Sequence, residues 1–152
     1  MNGNQTGADN TAAPGKKIDR ETAEAEFNLF CDNNRIEREE SAMNDDEKKS
    51  FKEHKRRFVL ACMDGRAEVD GTSVKYKISD FSPEGFKGEI VIAKRPGGNA
   101  FSAMDGYKEE QSVHKLLGFF SAMTGKDTKY FSKIDIIDWK FFDSVSALFL
   151  SL

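Results

Sequence analysis

Apolar residues along the chain recur first at helical spacing, then in alternation, then at helical spacing again. Ala23, Phe27, Phe30 and Cys31 follow the i, i+4, i+7, i+8 rhythm of one helix face. They predict a helix from about Arg20 to Asn33, with Asp19 as N-cap and Asn33-Asn34 ending it. A polar connection leads to a second helix starting at Asn44, where Glu47 three residues on makes a variant capping box. Its apolar stripe is Phe51, Phe58, Val59 and Cys62, with Lys55 at the edge and Gly65 as the closing residue. Around Asp70-Gly71 the rhythm changes. Ala67 to Val69 and Val74 to Ile78 predict a hairpin. Ser82-Pro83-Glu84-Gly85 reads as a turn, Lys87 to Lys94 as a third strand, and Pro96-Gly97-Gly98 as its stop.

Helical spacing then returns. Val113, Leu116, Leu117, Phe120 and Met123 share a face between Tyr107 and Thr124, closed by Gly125. Asp127 to Lys133 forms a short helical turn. Ile134, Ile137, Phe141, Val145 and Leu148 mark a final helix over about Asp135 to Leu150, its stripe widened by Phe142 and Phe149. The expected class is therefore α+β: two N-terminal helices, a small antiparallel sheet of about three strands, and two to three C-terminal helices. Residues 1–17 carry no large apolar residue after Met1 and are expected to be a disordered tail. Residues 18–152 then form one domain, with a charged helical part at 18–65, a β part at 66–96 and an apolar helical part at 105–152.

Composition narrows the picture. In 152 residues, 23 bases and 26 acids leave a net charge of -3. That balance argues against a dedicated nucleic-acid binder. The balance is global, not local. Asp19 to Glu47 holds 11 acids and 3 bases, and Lys48 to Arg57 holds 6 bases and 1 acid. No run approaches the ~18 apolar residues of a membrane span, and no signal-peptide h-region opens the chain. Cys31 and Cys62 fit buried thiols in a reducing, cytoplasmic setting better than a disulfide.

Chemistry is sparse. There is no phosphate loop, no nucleophile elbow and no metal-ligand spacing, so no catalytic, cofactor-binding or metal residue is assigned. His54 and His114 read as surface or interfacial residues rather than bases. Asp135 and Asp138, one turn apart, could hold a cation, but the plainer reading makes Asp135 a cap and Asp138 a first-turn charge. The run Lys48, Lys49, Lys52, Lys55, Arg56, Arg57 is the one candidate nucleic-acid contact. It also fits a solvated helix face or a dock for the acidic first helix.

The Phe residues carry more information. Of 13, seven lie after residue 100. Leu116-Leu117-Gly118-Phe119-Phe120 and Trp139-Lys140-Phe141-Phe142 place large residues side by side. Neighbours on a helix diverge by about 100°. Either these helices are sandwiched between two partners, or some rings are exposed and form a groove for another chain. On the second reading the contact residues are Phe119, Phe120, Trp139, Phe142 and Phe149.

The order of segments also resembles a known family. The segment from Lys55-Arg56-Arg57-Phe58 to Met63-Asp64-Gly65-Arg66 leads into a short hairpin and a strand ending near Lys94-Arg95-Pro96. Then come Ala103-Met104-Asp105, a helix closing at Ala122-Met123-Thr124-Gly125, and Phe131-Ser132-Lys133-Ile134-Asp135-Ile136-Ile137-Asp138 before an apolar helix. From Phe58 onward this looks like the tail assembly chaperones of Mu-like, contractile-tailed bacteriophages and prophages. The resemblance implies a cytoplasmic protein of the bacterial host that keeps the apolar tape-measure protein soluble before the tail tube forms. It implies no enzyme activity and no cofactor. The rival readings are a structural tail or neck component that oligomerises, and a nucleic-acid-associated regulator using the basic helix.

Overall fold

The computed structural model describes residues 15–105 and 112–152. The fold is α+β, with helices at both ends of a three-stranded antiparallel sheet. Helix α1 is Arg20–Asn34, and α2 is Asp45–Met63 after a 3-10 turn at Glu40–Ala42. Strands β1 (Ala67–Asp70), β2 (Ser73–Lys77) and β3 (Ile90–Ala93) follow in spatial order β1-β2-β3. The C-terminal half holds α3 (Asn99–Asp105), α4 (Ser112–Thr124), α5 (Thr128–Phe131) and α6 (Ile136–Leu150).

Local chemistry accounts for most boundaries. Asp19 caps α1 by accepting from Thr22 N at 2.8 Å, and Asn44 caps α2 from Glu47 N at 2.9 Å. Each side chain satisfies an amide that the first helical turn leaves without a partner. The end of α2 matches the expectation for Gly65, which takes φ +76°. Its N–H reaches Cys62 O, and Arg66 N reaches Ala61 O, so two of the last carbonyls are satisfied. The end of α1 differs. Asn34 stays helical and Arg35 takes the left-handed conformation, φ 59°. Asn34 is buried, and its Nδ2 donates to Phe30 O and Thr72 O. That bridge to the β1–β2 turn holds Asn34 inside the helix and moves the reversal one residue on.

A further difference concerns the β–α connection. The segment 99–105, to which the sequence pattern assigns no element before residue 105, is a seven-residue helix with Ala100 buried against the core. The start of the next helix, expected at Tyr107, and the greater part of the expected tail lie outside the described residues.

The register pairs Tyr76 with Ala67 and Val91, and Val74 with Val69 and Ala93. Val74, Tyr76, Val91 and Ala93 are buried on one face. Helix α6 fills the centre. Phe141 stacks on Tyr76, with ring centroids 4.1 Å apart, and also meets Phe58 of α2. Phe142 meets Phe131 of α5 and Phe120 of α4, and Phe149 meets Phe30 of α1. A helix apolar nearly all round is stable only when covered on all sides.

Candidate interaction surface

That coverage corrects the groove reading. Phe119, Phe120, Phe142 and Phe149 are 0–4% exposed. Trp139 is partly buried, edge-on to Phe120 at 5.2 Å. The helices are sandwiched, and four of the five proposed contact rings are core. Burial of each removes apolar area worth about 1.5–3 kcal/mol from water, so none projects to a partner.

The exposed apolar surface lies elsewhere. Phe81 is 76% exposed, and at the start of α6 Ile136 is 66% exposed and Ile137 partly exposed. Phe81 and Ile137 line one cleft of about 400 Å³, together with Arg66, Lys77 and Asp80. Phe81 sits in the β2–β3 connection, and Ile136 and Ile137 open α6. Asp135 caps that helix by accepting from Ile137 N at 2.9 Å, as its position predicts.

The loop carrying Phe81 is pinned from inside by Asp138, which is fully buried. Its Oδ1 accepts from Tyr76 Oη at 2.6 Å and from Ser79 N at 3.0 Å. Its Oδ2 accepts from Ser79 Oγ at 2.8 Å and Ser82 Oγ at 2.6 Å. Ser82 Oγ in turn accepts from Asp135 N at 2.7 Å, tying the loop to the start of α6. Arg66 Nη1 donates to Tyr76 Oη at 2.6 Å, and its Nη2 donates to Asp64 at 3.0 Å. Burial, foremost, and then the Asp138 carboxylate raise the Tyr76 phenol above its usual range, against the pull of Arg66. Tyr76 therefore stays a donor to Asp138. Ser79 and Ser82 bracket Phe81, so both ends of this short arch are fixed while the ring points outward. Farther along, Glu89 accepts from Lys126 Nζ at 2.5 Å and Tyr130 Oη at 2.6 Å.

Asp138 is the first-turn acid its position predicts, but it is buried and bonded inside the fold. Both its oxygens are taken by protein donors, which also removes it from a cation site with Asp135. Among the described residues, no group of three or more His, Cys, Asp or Glu could hold a metal ion. The arrangement positions a loop and leaves no oxygen of Asp138 open to a substrate.

The remaining singled-out residues fall into place. His54 Nδ1 lies 3.0 Å from Ser144 Oγ, which also accepts from Arg57 at 3.2 Å. Ser144 is fully buried, so this pair is not an accessible nucleophile and base. His114 is exposed on α4. The basic run is largely engaged within the fold. Lys52 pairs with Glu40, Arg56 with Glu53 and Arg57 with Asp143, and Lys55 sits 5.8 Å from the Phe27 ring centroid. Cys31 and Cys62 are buried free thiols, each pushed up to about 12, chiefly by burial. No helix among the described residues is long and apolar enough to cross a membrane.

No family model matches the chain, and neither a curated protein nor a solved structure does.

Proposed function

We propose that this chain is a non-catalytic protein-interaction module that holds an apolar client. The specific role is the one implied by its resemblance, a tail assembly chaperone for a tape-measure protein in the cytoplasm of a bacterial host. The observation that supports the interaction reading is Phe81. An aromatic ring left 76% exposed on a loop tied down by three hydrogen bonds to a buried carboxylate is pre-ordered for contact. Little conformational entropy remains to be lost when a partner covers it. Ile137 lines the same cleft, and aromatic anchors of this kind dominate binding energy at interfaces.

Co-expression with a long, helical, apolar tape-measure-like client tests the role. The client should become soluble and co-purify with the wild-type chain. Phe81→Ser and Ile137→Ser should each reduce the recovered complex without loss of folding. If the client stays insoluble, or if both variants recover as much complex as the wild type, the reading fails. Rings or tubes of the chain alone in electron micrographs would favour the structural-component rival. Binding to duplex DNA that collapses with added salt would favour the nucleic-acid one.

A further inference from the structure

A second surface lies apart from Phe81, and its charge specifies its occupant. A cleft of about 430 Å³ runs between the α1–α2 connection, the first half of α2 and the last turn of α6. Its apolar walls are Met43, Phe51, Ala147, Leu148 and Leu150. Its charged lining is Glu37 and Glu47, with no Lys or Arg. The Phe81 cleft, in contrast, mixes Lys17, Arg66 and Lys77 with Asp64 and Asp80.

Two further sources of negative potential converge here. Helix α6 ends in the cleft through Leu148, Leu150 and Ser151. A helix C-terminus carries about half a negative charge, and the last turn of α6 has no basic residue to offset it. At the opposite wall, α2 begins with three acids, Asp45, Asp46 and Glu47, more than offsetting its half positive charge; of these Glu47 lines the cleft, and Lys48, Lys49 and Lys52, which follow on the helix, lie outside the lining. His54, also in the lining, is held below its ordinary pKa, chiefly by burial, and adds no positive charge at neutral pH.

From this complementarity we infer that the cleft docks a partner segment whose apolar side chains are flanked by Lys or Arg. The apolar residues fill the space between Phe51 and Leu148, and the bases meet Glu37, Glu47 and the end of α6. This inference is independent of the client-holding role of the Phe81 loop.

The probe is a synthetic amphipathic Leu/Lys peptide, with a Leu/Glu twin of identical apolar pattern. Binding to the full chain is measured by calorimetry and mapped by amide chemical shifts. The Leu/Lys peptide should bind and shift the amides of Met43, Ser50, Phe51, Ala147 and Leu148, and the Leu/Glu twin should not. The Glu37→Gln/Glu47→Gln double variant should weaken binding roughly fivefold, the scale of two exposed ion pairs. Both glutamates are exposed, so its melting temperature should stay close to wild type. Equal binding of the twin, shifts centred on Phe81 and Ile137, or an unchanged affinity in the double variant would each overturn the inference. Because Phe81→Ser leaves this cleft intact, it should bind the Leu/Lys peptide as wild type does. A shared loss would merge the two surfaces and also refute the inference.

Discussion

Replacing Asp138 by alanine removes the acceptor of four hydrogen bonds at once. Tyr76 Oη and Ser79 N cannot turn away: the phenol is locked by stacking on Phe141, and the amide is fixed by the chain. The two serine hydroxyls can rotate, but Ser82 Oγ must keep accepting from Asp135 N. Two stranded donors at about 1–3 kcal/mol each give a cost of about 2–6 kcal/mol. Removing the carboxylate also relieves its desolvation, which trims the upper end, and deletion of one member of a buried charged network typically costs about 3–5 kcal/mol. Asp138→Asn should cost less, about 1–3 kcal/mol. Its remaining oxygen still serves Tyr76 and Ser79 N, while its amide nitrogen faces two serine oxygens that must then accept. Urea unfolding reads both variants through Trp139, the chain's one tryptophan and the next residue along. The expected order is wild type, then Asn, then Ala, with similar dependence on urea concentration. A loss below about 1 kcal/mol for the alanine variant would refute the reasoning. So would an asparagine variant less stable than the alanine one. Amide exchange across 79–88 should also accelerate in both variants, since the loop loses its internal tether.

Phe142→Ala should cost about 3–5 kcal/mol by leaving a cavity between Tyr76, Phe120 and Phe131, whereas Phe81→Ser should stay within about 0.5 kcal/mol; thermal melts compare them directly. Asn44→Ala should lower stability by about 1 kcal/mol through loss of the acceptor for Glu47 N, measured by chemical denaturation. His54 has a lowered pKa in the fold, chiefly from burial, so the unfolded chain takes up its proton first. Stability should therefore be unaffected by this group above about pH 6.5, fall as pH drops below that, and level off once the folded imidazole also protonates. His54→Gln should flatten that slope between pH 7 and 5, and an unchanged slope would refute the assignment.

Helix starts and stops were legible because capping is local chemistry. Asp19, Asn44, Asp135 and Gly65 each act within three residues of their position, so sequence alone exposes them. The reversal after α1 was displaced by a contact 38 residues away, Asn34 to Thr72, which no local pattern reports. The short helix at 99–105 lacks a legible stripe because seven residues make fewer than two full turns.

The last helix shows how one residue of phase conceals a site. Its stripe was read through Ile134, Ile137, Phe141, Val145 and Leu148. Asp138 fits the same helical spacing as well as Ile137 does, four residues after Ile134 and three before Phe141. Hydrophobicity selects Ile137 for the core, yet the fold buries Asp138 and leaves Ile137 partly exposed. The reversal follows from what lies opposite. Tyr76, Ser79 and Ser82 present four donors to that spot, and a carboxylate accepts from all of them where an isoleucine could accept from none. The same exchange generates the surface. With Asp138 inside, Ile137 lines the cleft beside Phe81, and Ser79 and Ser82 are drawn inward on either side of it. The adjacent aromatics of α4 and α6 suggested exposed rings, but two-sided packing absorbs them. Around Phe81, exposed apolar area arises instead where a buried polar group claims the core position.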